Sequence, residues 1–241
     1  MLDLLMSSAG AVGVTAVSRL AELTVEDNAR APGVTVTLTS AFVAFLLAFP
    51  LSFLSGHAST AVHESGHMLF ALWGGGTVEH VHVNRNGGGE TRYSPIPVVD
   101  DVVASAAGYL APSVGGLLLA DLLGHGHAYA ALVVTVAFLV FLLIFVKNAF
   151  GRIYVALMLV FFVGVLLKAG PEMILFTACT WAWFLMSDGM RKILVIWARA
   201  TDYDYLPLLG RNGWAVVNLF LSVAAMIWGG LILVGAKEPF L

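Results

Sequence analysis

Charge is what this 241-residue sequence has least of: Asp, Glu, Lys and Arg together make up 11% of it, against roughly 25% in an ordinary soluble domain. So few ionic groups cannot cover the surface of a water-soluble globule, and so apolar a composition does not leave a chain unfolded, so a soluble enzyme and a disordered tail are both excluded. Twelve Lys and Arg against fifteen Asp and Glu leave no basic face for a nucleic acid. A single cysteine, Cys179, excludes an internal disulfide framework. Polar stretches never exceed about 30 residues, too short for a separate soluble domain. No internal repeat appears, so an inverted-repeat transporter gains no support.

Apolar residues make up 59% of the chain. A helix needs about 20 of them in succession to cross about 30 Å of hydrocarbon. Predominantly apolar runs at 36–55, 57–73, 102–122, 128–146, 153–167, 172–187 and 214–234 predict an all-α polytopic membrane protein with about seven transmembrane helices. The sixth run can continue to Trp197, and the tight Ser55-Gly56 link lets the first two be one broken element. With seven crossings, Arg19, Arg30, Arg85, Arg92, Lys147, Arg152, Arg191, Lys192, Arg199 and Arg211 fall on one side, and only Lys168 and Lys237 on the other. That asymmetry predicts a cytoplasmic N-terminus and an outside C-terminus, in a plasma membrane of bacterial type. Residues 1–35 lack a basic start before an apolar core and are expected to be an N-terminal cytoplasmic or interfacial segment, not a cleaved signal peptide. Residues 36–236 are then one membrane-embedded domain.

One stretch departs from the helical pattern. Gly74-Gly75-Gly76 stops the second run, and two short alternating segments then flank Asn84-Arg-Asn-Gly-Gly-Gly89. This predicts a β-hairpin within 76–95, whose open edges must be kept from lipid.

The chemistry is concentrated in His63-Glu-Ser-Gly-His67. Residues four apart on a helix share a face, so His63 and His67 can hold one divalent ion. Glu64 beside them can act as general base on a water that the ion activates. Placing these groups in a segment otherwise fit for hydrocarbon carries a desolvation cost that calls for a purpose. A third ligand must come from elsewhere, in the same half of the membrane as His67. Asp188, in Met186-Ser-Asp-Gly189, fits; Asp202 and Asp204 are alternatives on the same side, and Asp121 falls on the other. Asp188 has a plainer reading as a helix-end partner of Arg191. His80 and His82 can also bind metal but read first as hairpin surface residues, and His125 and His127 as solvated loop residues. Asn148, after Lys147, reads as a helix cap before an oxyanion donor. Gly108, Ala111, Gly115 and Gly116, with Pro112 among them, form a close-packing face expected to lie against the zinc-binding helix.

These residues resemble the site-2 protease family of intramembrane zinc metalloproteases. The likeness rests on His63-Glu-Ser-Gly-His67 in an apolar span, a glycine-rich hairpin after it, Ala107-Gly-Tyr-Leu-Ala-Pro112, and the Asp188-Gly189 pair. It covers roughly residues 57–190 and looks closest to the compact branch without a PDZ module. It implies one Zn2+ on His63, His67 and Asp188, water activation by Glu64, and cleavage within or near the transmembrane segment of a membrane-protein substrate. The expected partners are therefore that substrate and the lipid bilayer. The chain departs from many members in one respect: Cys179 to Ser187 contains neither the Asn nor the Pro that they carry before the ligand Asp. Two other functions use the same residues: a non-catalytic metal-binding membrane protein, and an ion-coupled transporter.

Overall fold

A computed structural model describes residues 31–199 and 210–240. The expected interfacial segment, apart from its last few residues, and both alternative ligands, Asp202 and Asp204, lie outside them. The described chain runs α1 (Val34–Ala48), α2 (Ser52–Trp73), β1 (Val78–Val83), β2 (Gly89–Tyr93), α3 (Val98–Gly124), α4 (Ala128–Phe145), α5 (Ala149–Lys168), α6 (Pro171–Arg199) and α7 (Gly210–Leu233).

Five of these helices, α3 to α7, are individually long and apolar enough to cross a membrane. Phe42, Phe53, Ile153, Val160 and Phe220 are all exposed, as expected where the solvent is hydrocarbon. The first two expected crossings differ. α1 and α2 meet at an angle of 97°, because Pro50 in the Phe49-Pro50-Leu51 link can neither donate to nor continue a helix. Ser55 Oγ donates to Leu47 O at 2.7 Å across the bend, satisfying a carbonyl that the break would orphan.

The bend changes the topology. Thr37 Oγ1 donates to Leu233 O at 2.7 Å, and Gly124 packs on Ile232, so the start of α1 lies with the ends of α3 and α7. The hairpin lies at the opposite end, where α3 begins. Counted together as the one broken element that the tight Ser55-Gly56 link allowed, α1 and α2 add one candidate crossing to the five, for up to six among the described residues. The start of α1 and the end of α7 thus lie at the same end of the helix bundle. Arg85 sits over the Phe150 ring and Lys192 reaches α2 near the hairpin, while Lys237 packs on Trp228 at the far end.

Small residues let the helices approach. A methyl at Gly66 would stand 2.6 Å from Ala107 O and 2.7 Å from Ala111 Cβ, so α2 and α3 touch backbone to backbone there. The small-residue face of α3 is split between two neighbours. Gly108 and Ala111 meet α2 as expected, but Gly116 meets Met186 and Ala182 of α6, and Gly115 lies nearest Leu185. α6 extends through Asp188, Arg191 and Lys192 because these charges pair with one another inside the bundle.

The hairpin pairs antiparallel, with Val81 opposite Thr91, His82 opposite Glu90 and Val83 opposite Gly89. Gly87, at φ 83°, supplies the left-handed turn conformation. Val81 and Val83 are fully buried, and the outer edge of β1 is covered by the α4–α5 link: Val81 bridges Val146, and Lys147 N donates to Val81 O at 3.1 Å. Asn148 completes the cover. Its Nδ2 donates to Val83 O at 2.6 Å and its Oδ1 accepts from Val83 N at 3.1 Å. The amide thus acts as a strand mimic, and its side chain makes no helix-capping bond.

Candidate metal and hydrolytic centre

α2 brings the motif together as the four-residue spacing requires. The Nε2 atoms of His63 and His67 are 3.1 Å apart. Donors on one tetrahedral zinc, at about 2.0–2.1 Å from it, lie about 3.3 Å apart, so the two imidazoles are already at chelating separation. The tautomer of His67 is fixed by its other nitrogen. Nδ1 lies 2.8 Å from Ala104 O, which can only accept, so Nδ1 carries the proton and Nε2 keeps its lone pair in the neutral ring. The Tyr109 ring meets His63 edge-on at 4.9 Å between centroids. Gly108 leaves the space that the His67 ring fills: a methyl there would overlap Nε2, Cε1 and Cδ2.

Glu64 is buried beside the pair, with Oε1 4.0 Å from His63 Nε2. The hairpin orients it. Thr91 Oγ1 lies 2.7 Å from Glu64 Oε2 and 3.0 Å from Glu64 O. Gly89 gives the carboxyl room, since a methyl there would lie 2.6 Å from Glu64 Cδ and Cγ. These groups face a cavity of about 340 Å³ walled by α2, the hairpin turn, β2, α3 and α6. Its lining includes Thr60, Tyr93, Ser105, Tyr109 and Lys192.

Asp188 is placed differently from the two histidines. It is fully buried on α6, receives Arg191 Nε at 2.6 Å on Oδ1, and does not line the cavity. Its Oδ2 has no hydrogen-bond partner and stands 4.0 Å from Lys192 Nζ. Lys192 in turn donates to Gly56 O at 2.9 Å and Thr60 Oγ1 at 2.5 Å. Lys192 therefore lies between Asp188 and the cavity. Among the described residues, the three-ligand group within 4.8 Å is His80, His82 and Glu90, and no such group joins His63 and His67 to an aspartate. Asp121 bonds Phe240 N at the far end of α3, away from the cavity, and His125 Nδ1 lies 3.0 Å from Asp121 O.

Sequence reasoning missed Thr91, Tyr109 and Lys192. Thr91 and Lys192 come from other elements, so only the fold brings them to α2. Tyr109 had a signal, since it stands within Ala107-Gly-Tyr-Leu-Ala-Pro112.

The fold is that of a multi-pass helical membrane protein in which two histidines and a glutamate converge on one cavity. The chain belongs to the Peptidase M50B-like family, whose model matches residues 35–235. It is thus a member of a membrane peptidase family, as the motif's resemblance to site-2 proteases implied. No curated protein and no solved structure matches the chain.

Proposed function

We propose that this protein is a zinc-dependent intramembrane endopeptidase that cleaves within or near the transmembrane segments of membrane-protein substrates. The observation that carries this reading is the pair of Nε2 atoms 3.1 Å apart, with a buried carboxylate beside them in a cavity. His63 and His67 would hold the ion, with Asp188 as third ligand. The fit of Asp188 rests on its buried Oδ2, which lacks a hydrogen bond, a costly state that a cation relieves. Reaching the pair requires Asp188 to exchange Arg191 and Lys192 for the ion. When bound, zinc lowers the pKa of water toward about 7 and polarises a scissile carbonyl.

Glu64 takes the proton of the attacking water and returns it to the leaving amine. Thr91 holds the carboxyl in place for both transfers. β1 is covered on its outer side by Val146 to Asn148, whereas β2 borders the cavity, so a locally unwound substrate can add to β2 as a strand. Unwinding is needed because helical amides are already hydrogen-bonded. The basic residues gathered near the hairpin point to that end as cytoplasmic, and water would enter there.

The test is Glu64→Gln in a membrane preparation with a co-expressed single-span substrate. The variant is expected to keep zinc and lose cleavage. Retention of full cleavage would remove Glu64 from the mechanism, and loss of zinc would make it a ligand instead.

A further inference from the structure

The hairpin carries a second group of ligating side chains on the face opposite Val81 and Val83. His80 and His82 are two apart on β1, so both rings leave the same face, and β2 sets Glu90 across from His82. The rings stack with centroids 4.1 Å apart. His80 Nε2 lies 3.7 Å from Glu90 Oε1, and one donor atom from each of the three residues falls within 4.8 Å of the others. His80 Nε2 is also buried without a hydrogen-bond partner. A buried ring nitrogen in that state costs stability unless something engages it. Arg92 reaches Glu90 Oε1 at 3.2 Å, but both side chains are largely exposed, and such a pair holds weakly.

We propose that His80, His82 and Glu90 form a second divalent-cation site, distinct from the His63–His67 pair and independent of the catalytic reading. Two imidazoles and one carboxylate suit zinc and similar borderline first-row ions, with a position left for water. Tetrahedral donors lie about 3.3 Å apart, so the group must close by at most about 1.5 Å, which side-chain rotation supplies. Glu90 also lines the cavity beside His63 and Glu64. An ion held here would clip β1 to β2, the strand that borders that cavity.

The experiment is equilibrium dialysis of the purified full chain against buffered ZnCl2, with metal and protein counted independently. The His80→Gln/His82→Gln variant is expected to bind one equivalent fewer than the parent, and His63→Gln/His67→Gln to keep the hairpin equivalent. Glu90→Gln should weaken the hairpin site about tenfold or more. Arg92→Ala should tighten it, because Glu90 is released; misfolding cannot produce a gain of affinity. Equal stoichiometry and affinity in the parent and in His80→Gln/His82→Gln would overturn the proposal. A parent whose only zinc disappears in that variant would support the hairpin site while removing the zinc reading of His63 and His67, so the two failures are distinguishable.

Discussion

Two glycines in the candidate centre make separable predictions, because each leaves room for a different reacting group. At Gly108 an added methyl would stand 2.7 Å from His67 Cδ2 and closer still to Nε2 and Cε1. Carbon atoms pack at about 3.5–4.0 Å, so the ring must retreat by about 1 Å. Metal sites tolerate about 0.2 Å in ligand distance. Gly108→Ala should therefore weaken zinc binding about 10- to 100-fold and reduce cleavage with it. At Gly89 the methyl would stand 2.6 Å from Glu64 Cγ and Cδ. This displaces the carboxyl from Thr91 by a similar distance while leaving both imidazoles alone. Gly89→Ala should keep zinc at the parent level and lose about 100-fold in cleavage, the usual penalty for a misplacement of about 1 Å. Overpacking of this kind costs about 1–3 kcal/mol, within the roughly 5–15 kcal/mol stability of a folded domain, so both variants should still fold. Gly115→Ala serves as control, since its methyl meets only Leu185 Cδ1 at an ordinary 3.8 Å. The assay is zinc affinity by competition with a chromogenic chelator, read beside cleavage of a reporter substrate. If Gly108→Ala holds zinc as tightly as Gly115→Ala, His67 is not a ligand.

Three further outcomes follow from the same geometry. Thr91→Val removes the hydroxyl 2.7 Å from Glu64 Oε2 and should lower cleavage about tenfold with zinc affinity unchanged; a matching fall in zinc would mean that Thr91 supports the ligands instead. Asn148→Ala loses both bonds to Val83 at about 1–3 kcal/mol, which hydrogen exchange should report as faster exchange at Val83; unchanged protection there would show that the backbone bridge alone holds β1. Arg191→Met strips Asp188 of its 2.6 Å partner and should destabilise the zinc-free protein by about 3–5 kcal/mol, with zinc restoring much of the loss in thermal unfolding; destabilisation that ignores zinc would exclude Asp188 as a ligand.

Most of the helical framework was legible because it depends on runs of apolar residues, which need no knowledge of neighbours. The hairpin was legible for a similar reason: alternation around Asn84 to Gly89 is a local signal. The pairing of His63 with His67 needed only the pitch of a helix. What could not be read was whatever depends on how elements meet. The bend at Pro50 sets α1 at 97° to α2, and the contact of Thr37 with Leu233 brings the start of α1 to the end of α7. Asn148 offered a cap or an oxyanion donor to a reader of sequence, yet its amide matches both backbone groups of Val83, a residue 65 positions away. Thr91 and Lys192 carried no signal at all.

Asp188 shows the limit most clearly. The case for it as a ligand rests on an expected depth in the membrane and on a family likeness, and the structure shows a buried carboxylate on α6. Neither can say which cation the carboxylate faces. Arg191, one turn further along the same helix, is always within reach, and the neighbouring Lys192 stands on the path to the cavity. A buried carboxylate cannot remain without a counter-charge. The ion pair and a metal bond are therefore competing solutions to one electrostatic demand. If zinc draws Asp188 away, Arg191 is left as a buried cation that must move toward the polar end of α6, where a long guanidinium side chain can reach water. Zinc loading should then increase the solvent exposure of Arg191, measurable as faster reaction of its guanidinium with a dicarbonyl reagent. Equal reactivity with and without zinc would mean that the Asp188–Arg191 pair persists and that the third ligand comes from another residue.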